Sequence, residues 1–407
     1  MALRRASTGS FDTARSPYLW PLELSIDELV PMLGWPVASK PDVELPGVPS
    51  RHPVQLVATS EVPKTGLRVG LSSLDATRPV AIKPVDLLRH LHLLGPTGVG
   101  KSTVMGNLAL QVIEAGHGAV VIDPKGDLVT DLLGRIPASR RDDVVVIDPT
   151  DPSPVGLAAL TPQGHVSADL LADTVLGIIH SLHAKSWGPR THDILHASLL
   201  TLARRGDASL VMVPLLLTNS GFRRSVTQHA AKADPLGLGS FWGWYAGLSA
   251  AEREHAIAPL MNKLRPILLR PGMRAVLGQR RPRFDLSDVF TKRRVVLVSL
   301  SKGTMGPEAA QLLGSLVVGL LWQAALGRAA VPQSQRRPSY VFIDEVQEYL
   351  RLPGDLSDAL AQARGLGVGF VLAHQHLGNS RHRSVKQCWP MPAPASRFSY
   401  RPKTPAT

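Results

Sequence analysis

The feature that most constrains the fold is a glycine-rich octapeptide, residues 95–102, which reads GPTGVGKS. It matches the pattern G-x-x-x-x-G-K-[ST] at every fixed position. A short apolar stretch, Leu91–Leu94, precedes it, and an amphipathic stretch over residues 102–115 follows. Glycines let successive N–H groups turn inward, and the positive end of the following helix favours an anion at the same place. The segment therefore predicts a strand, a phosphate-binding loop and a helix.

This loop predicts ATP and Mg²⁺ as cofactors. Lys101 is placed to reach the β- and γ-phosphate oxygens, and the Ser102 hydroxyl to ligate magnesium. The remaining residues expected to contact the nucleotide lie in the loop and the first helical turn: Gly95, Thr97, Gly98, Val99, Gly100 and Thr103.

A second apolar stretch, residues 340–343, ends in the acid pair Asp344 and Glu345. Beside a phosphate loop, this pattern is typical of a magnesium carboxylate followed by a catalytic carboxylate. We expect Asp344 to hold the magnesium shell and Glu345 to orient or deprotonate the attacking water. A strand-end or helix-cap pair without chemistry is the alternative.

Two further residues are candidates for catalysis. Gln375 follows the apolar stretch 369–373 and His374, where a long neutral side chain could sense the γ-phosphate; a helix cap is the alternative. Arg364 lies in a turn, ARGLG, after a helical stretch. From such a turn a guanidinium can reach the nucleotide of a neighbouring subunit. A surface arginine near a helix end is the alternative.

Alternating strand and helix patterns predict an α/β fold with a mostly parallel sheet. Strands are expected at 91–94, 119–122, 143–147, 295–300, 340–343 and 369–373, with a hairpin within 68–80 and a short helix at 25–33. Helical periods dominate from about 150 to 283, which predicts an all-helical insertion. The expected organisation is a linker and hairpin region at 1–84, a P-loop core in two parts at 85–150 and 286–378, the insertion at 151–285, and a basic, proline-rich tail at 379–407.

Composition restricts the partners and the compartment. A net charge of +13 and a pI of about 10.2 favour a polyanionic partner or an acidic membrane surface. Ten Lys and Arg residues stand against two acids within 263–294. One cysteine, Cys388, excludes an intrachain disulfide and a cysteine zinc site. No signal peptide or transmembrane segment is expected, and residues 309–326 are interpreted as a buried helix, so the chain is expected to be cytoplasmic.

Aromatic and cationic residues within the insertion suggest a surface that binds nucleic acid. Trp187, Arg190, Trp242, Trp244 and Tyr245 could offer a surface to nucleic acid. Packing of large side chains within a helical bundle is the alternative interpretation.

The order of these motifs resembles the type IV coupling proteins of conjugation, the TraG-like ATPases, and more distantly HerA and FtsK. The resemblance spans roughly residues 85–378 and rests on the segments GPTGVGKS at 95–102, IDPKGD at 122–127, WGPR at 187–190, IDE at 343–345, QARGLG at 362–367 and HQ at 374–375. It implies a RecA-like ATPase that forms a ring, usually of six subunits, and moves DNA without sequence preference through its pore. It also implies that Lys101, Ser102, Asp344 and Glu345 serve nucleotide and magnesium, Gln375 senses phosphate, and Arg364 acts in trans.

The chain departs from this family in two respects. Coupling proteins usually begin with transmembrane helices, so anchoring at the inner face of the cell membrane would come from a membrane-embedded partner or from sequence missing upstream. The family pattern also stops near residue 379, as if the chain were truncated at both ends. Three functions follow: a DNA translocase, a related ATPase for protein export, or a nucleotide-binding fragment without turnover.

Overall fold

A six-stranded sheet forms the centre of the structure, a computed structural model that describes residues 62–374 except 73–74, 76, 163–165, 281–282 and 350–355. The helix expected at 25–33, Gln375 and the basic tail at 379–407 lie outside the described residues. The strands are β1 Leu67–Leu71, β2 Pro79–Ile82, β3 Leu91–Leu94, β4 Gly118–Asp123, β5 Val144–Ile147, β6 Val295–Ser299, β7 Ser339–Ile343 and β8 Val368–His374.

Helices cover both faces of this sheet. They are α1 Pro84–Leu87, α2 Lys101–Glu114, α3 Asp127–Arg135, α4 Ala168–His183, α5 Pro189–Arg205, α6 Met212–Thr218, α7 Ser220–Ala233, α8 Ser240–Gly247, α9 Ala250–Leu268, α10 Pro271–Leu277, α11 Asp288–Thr291, α12 Lys302–Met305, α13 Pro307–Leu326 and α14 Leu356–Gly365.

The strand order in the sheet is β3-β8-β7-β4-β6-β5, and every pairing is parallel. The carboxyl ends of the strands therefore meet at one edge, where ligands bind in open α/β sheets. Strand β8 lies between β3 and β7, so its carboxyl end at His374 lies between the phosphate loop and the acid pair. The predicted RecA-like α/β fold with a parallel sheet is confirmed.

Strand β4 shows why this sheet needs cover on both faces, since all six of its residues are buried. Val120 and Ile122 pack into the core shared with the helical segment, whereas Ala119 and Val121 pack into the core beneath α2 and α3. Side chains alternate between the faces of a strand, so a continuous apolar run fits a parallel sheet with helices on each side.

Helices occupy the described residues between β5 and β6, without a described strand, as the periodicity predicts. The exact limits 151–285 of an inserted domain stay a prediction. Helix α13 packs against α4 with a close approach at Gly319, where an added Cβ would lie 2.7 Å from Ile178 Cδ1. Its apolar stretch is long enough to cross a membrane, but 78% of that stretch is buried inside the protein. It is therefore a core helix, as expected.

The first two strands form the expected antiparallel hairpin. The hairpin docks on helix α2, where the Arg68 N–H donates to Gln111 Oε1 at 2.7 Å and Gln111 Nε2 donates to the Arg68 carbonyl at 3.0 Å. The hairpin thus covers the outer face of the helix that follows the phosphate loop.

Candidate active site

The glycine-rich loop connects β3 to α2, and its shape depends on two left-handed residues. Gly98 and Gly100 have φ values of +84° and +89°, a region that side chains rarely adopt. Gly95 is required for space, because an added Cβ would lie 2.7 Å from Val99 Cγ2. The loop therefore curls at the start of a 14-residue helix, where free N–H groups and the helix dipole favour an anion.

The Lys101 side chain folds back over this loop. Its ammonium donates to the carbonyl oxygens of Gly95 at 2.7 Å and Pro96 at 2.9 Å. Ser102 and Thr103, in the first helical turn, are exposed, as is Thr97 in the loop. A positive charge and several donors thus lie within one turn of chain, as binding of a polyphosphate requires.

A hydrogen bond connects the phosphate loop, which follows β3, to the acid pair, which follows β7, although strand β8 lies between these two strands. The Ser102 hydroxyl donates to Asp344 Oδ2 at 3.2 Å, although 242 positions separate the two residues. Asp344 is 5% exposed, and burial followed by the neighbouring Glu345 carboxylate raises its pKa. Because burial and Glu345 disfavour the charged form of Asp344, a bound cation would stabilise its carboxylate.

Magnesium fits these two oxygen ligands. Mg²⁺ keeps several waters and is held in nucleotide sites by one or two protein oxygens together with phosphate. Within the described part of the chain, no group of three or more His, Cys, Asp or Glu residues forms a metal cage. The serine hydroxyl and the single carboxylate suit a metal shared with a nucleotide rather than a resident metal.

Glu345 adopts an unusual backbone conformation directly after Asp344. Its φ of +48° is left-handed for a residue other than glycine, which costs about 1–2 kcal/mol. Its N–H donates to Asp344 Oδ1 at 3.0 Å, and its Oε2 accepts from Gln347 Nε2 at 2.7 Å. Such strain is often found at functional sites, and here it directs two adjacent carboxylates to different partners.

Three residues near the acid pair were not predicted from the sequence. Gln347 orients the Glu345 carboxylate. Because Gln347 lies only two residues after Glu345, the sequence could have indicated this contact. Lys302 follows β6 at the same sheet edge; burial lowers its pKa, while the carboxylates of Glu345 and Asp344 oppose that shift. Tyr349 is fully buried, with Lys302 Nζ 5.7 Å from its ring centroid.

The DPKG segment has a structural function in the fold. Asp123, 2% exposed at the end of β4, accepts hydrogen bonds from the N–H groups of Lys125 at 2.9 Å, Leu128 at 2.8 Å and Val129 at 3.2 Å. Its carboxylate therefore caps helix α3. Capping of this kind fixes the loop that follows β4, beside the acid pair.

Arg364 lies far from the site of its own chain. It is exposed near the end of α14, before β8 begins, whereas the phosphate loop and acid pair lie at the carboxyl edge. The seven residues of β8 span about 23 Å, which is longer than an arginine side chain. The described structure thus brings together Lys101, Ser102, Asp344 and Glu345 but leaves Arg364 at the opposite edge, while Gln375 is not described.

The aromatic residues of the helical segment are mainly packing residues. Trp242 and Tyr245 are 5% and 0% exposed, and they donate to Thr201 Oγ1 at 2.9 Å and the Leu217 carbonyl at 3.0 Å. Trp187 is half-buried and donates to His192 Nδ1 at 3.3 Å. Trp244, 42% exposed, remains accessible to a partner.

Together, the parallel sheet, the glycine loop and the bridged acid pair define a P-loop NTPase fold of the RecA-like class. The family model for the central domain of the helicase HerA matches residues 68–181. No curated protein sequence matches the chain significantly.

Two solved structures show the same fold. The bacterial conjugative coupling protein TrwB, as a form lacking its first 70 residues, matches with a TM-score of 0.54 and 20% identity over 80% of this chain and 70% of that truncated chain. VirB4 of Thermoanaerobacter pseudethanolicus matches with a TM-score of 0.51 and 14% identity over 79% of this chain and 80% of VirB4. The predicted resemblance to the coupling-protein and HerA class is confirmed at the level of the fold.

Proposed function

We propose that this chain is an ATP-hydrolysing motor that moves DNA in the manner of the conjugative coupling proteins, as a ring, with six subunits as in the family it resembles. The observation that carries this proposal is the bridge from Ser102 to Asp344, with Glu345 beside it and Arg364 out of reach of the same site. A complete set of hydrolytic residues then requires two adjacent subunits.

Each residue has a distinct function in this mechanism. The loop from Gly95 to Thr103 binds the phosphates of ATP, and the Lys101 ammonium within it neutralises their charge. Mg²⁺ polarises these phosphates when it is bound. Ser102 and Asp344 would hold the metal. Glu345, held by Gln347, accepts a proton from the attacking water at its carboxylate, and Arg364 of the adjacent subunit stabilises the charge that develops on the phosphates. We assign Gln375 to phosphate sensing, from its place after β8.

Turnover and nucleotide binding test this assignment. Lys101→Ala should abolish ATP hydrolysis, and sedimentation with ATP should show assembly of the parent. Arg364→Ala should lower turnover about a thousandfold with little change in nucleotide affinity. Mixed with Lys101→Ala, it should recover activity above the sum of the two variants. Absence of recovery in an assembled mixture would contradict action in trans.

DNA binding is proposed to rest on Lys and Arg contacts with phosphates, so affinity should fall steeply with salt and depend little on sequence. Arg265 and Arg274 are exposed within the basic segment 263–294. The pair Arg265→Glu and Arg274→Glu should weaken binding more than the control pair Arg141→Glu and Lys232→Glu, which changes the charge equally at two other exposed positions. Equal losses would show that overall charge, rather than this segment, binds DNA.

Protein export is the second candidate, favoured by the similarity of the fold to VirB4. DNA-stimulated ATP turnover distinguishes the two, because an export ATPase needs no DNA. If the assembled enzyme hydrolyses ATP at the same rate with and without DNA, the result would favour protein export. A monomer that binds ATP without hydrolysing it would favour an inactive fragment. We place the motor in the cytoplasm, at the inner face of the membrane through a membrane-embedded partner.

A further inference from the structure

Arg336 directs its guanidinium at the backbone around the turn that carries Arg364. Its Nη1 donates to the carbonyl of Gly365 at 2.7 Å. Its Nε and Nη2 donate to the carbonyls of Val331 at 2.7 Å and Ala329 at 3.1 Å. One planar group therefore joins the end of helix α14 to the segment that follows α13.

Arg328 holds the other end of the same turn. It is 7% exposed, and its Nη1 and Nη2 donate to the carbonyls of Gly367 at 3.3 Å and Arg337 at 2.6 Å. Its guanidinium carbon lies 5.0 Å from the ring centroid of Phe290. Burial, and then the charge of Arg336, lowers the pKa of Arg328 to about 10, so this arginine remains charged at neutral pH.

The turn between these two contacts has little freedom. The Gly367 N–H donates to the Arg364 carbonyl at 3.0 Å, and Gly367 has a φ of +73°. A Cβ at Gly367 would lie 3.2 Å from the Arg336 carbonyl oxygen and 3.4 Å from Arg328 Nη2. The Gly367 carbonyl also accepts from the Ser339 N–H at 3.0 Å, which fixes the turn to strand β7.

These two arginines form no salt bridge with an acid in the described part of the chain. The two adjacent guanidinium groups donate their hydrogen bonds to carbonyls and repel each other, so this arrangement lowers the stability of the fold. What the arrangement provides is five hydrogen bonds from planar groups of fixed geometry. Two of them, to the carbonyls of Gly365 and Gly367, order the backbone on the carboxyl side of Arg364, and the other three tie the two arginines to their own segment.

We propose that Arg328 and Arg336 are positioning residues that hold the 364–367 turn so that the exposed Arg364 guanidinium projects toward the nucleotide of an adjacent subunit. This inference rests on the proposed trans function of Arg364. A displacement of about 1 Å in a group that acts on a transition state can cost about 100-fold in rate. Arg328 and Arg336 act through Arg364 and do not touch the nucleotide.

The test compares substitutions at Arg336, which is less buried than Arg328. Arg336→Ala and Arg336→Lys should each lower kcat on the order of 100-fold, because lysine keeps the charge but not the fork. KM and ATP affinity should change less than about twofold. Arg337→Ala, at the exposed neighbouring position, removes the same charge and should leave kcat within about twofold of the parent.

A double substitution gives a readout that a general structural role would not produce. Arg336→Ala combined with Arg364→Ala should be no slower than Arg364→Ala, since a positioning residue has no function without the residue that it positions. Arg336→Ala mixed with Lys101→Ala should recover activity, as Arg364→Ala does.

Several results would overturn the inference. Unchanged kcat in Arg336→Ala, additive losses in the double variant, or loss of ATP affinity in Arg336→Lys would each do so while leaving the proposed ATPase intact. A parent enzyme without turnover, or full activity in Arg364→Ala, would instead contradict the trans mechanism itself, and the positioning role with it.

Discussion

Gly314 on helix α13 lies against the loop that follows the acid pair, and its replacement by alanine is expected to disturb both. An added Cβ would lie 2.3 Å from Tyr349 Cδ1 and 2.9 Å from Leu300 Cδ1. Tyr349 and Leu300 are both fully buried, so neither can move away into solvent. Overpacking of this kind costs about 3 kcal/mol at the upper end of its range, and the helical preference of alanine offsets about 1 kcal/mol.

We therefore expect Gly314→Ala to lower the free energy of unfolding by about 2 kcal/mol, which corresponds to a Tm lower by about 2–3 °C for a chain of this length. Denaturant unfolding and thermal melting measure this change. Gly243→Ala is the matched control, because Gly243 lies inside helix α8 and an added Cβ there meets nothing within 4 Å. That variant should be more stable than the parent by up to about 1 kcal/mol.

A second substitution identifies the cause. Tyr349→Leu in the Gly314→Ala background should recover part of the lost stability, because it removes the ring edge that the new methyl group meets. A Gly314→Ala variant as stable as the parent, measured beside a Gly243→Ala variant with the expected gain, would contradict the predicted clash. A loss that Tyr349→Leu leaves unchanged would place the strain elsewhere.

Three further predictions concern the acid pair, the α3 cap and the sheet. Glu345→Gln should bind ATP almost as tightly as the parent but hydrolyse it at least about 100-fold more slowly; equal single-turnover rates would exclude Glu345 as the base. Asp123→Ala should cost about 2 kcal/mol in urea unfolding, since three N–H groups lose their acceptor, whereas the exposed control Asp127→Ala should cost less. Burial and then His374 lower the pKa of His92 to about 4, so the folded state keeps His92 neutral while the unfolded chain binds a proton. Stability should then fall as the pH falls from 6.5 toward 4, and His92→Gln should reduce that slope; an unchanged slope would contradict the assignment.

Several elements could be predicted from the sequence because their causes are local. Strand β3 is predicted at its observed bounds, and the other predicted core strands agree within one residue at either end, since apolar runs between turn residues are a short-range signal. The phosphate loop was recognisable for the same reason, because glycines at fixed spacing allow the left-handed backbone conformations that the loop requires. The helical character between β5 and β6 also follows from periodicity within each segment.

The order of the strands and the contacts of the site depended on the tertiary structure. Periodicity does not say that β8 lies between β3 and β7, and in the observed order Ser102 lies 3.2 Å from Asp344. Lys302 was missed because its place beside the acid pair depends on where strand β6 ends relative to β7, whereas the contact of Gln347 with Glu345 is local and was overlooked.

Arg364 shows the same division between local and long-range causes. Its sequence context indicates a turn after a helix, but only the fold shows that the turn lies at the sheet edge opposite the acid pair. The hydrogen bonds from Arg328 and Arg336 likewise join two segments that are separate in the sequence, 328–337 and 364–367. The strands, the helices and the phosphate loop could be predicted, because backbone preferences and apolar periodicity act within about ten residues. The tertiary structure decided which elements are neighbours, because that choice depends on how all the buried faces pack at once.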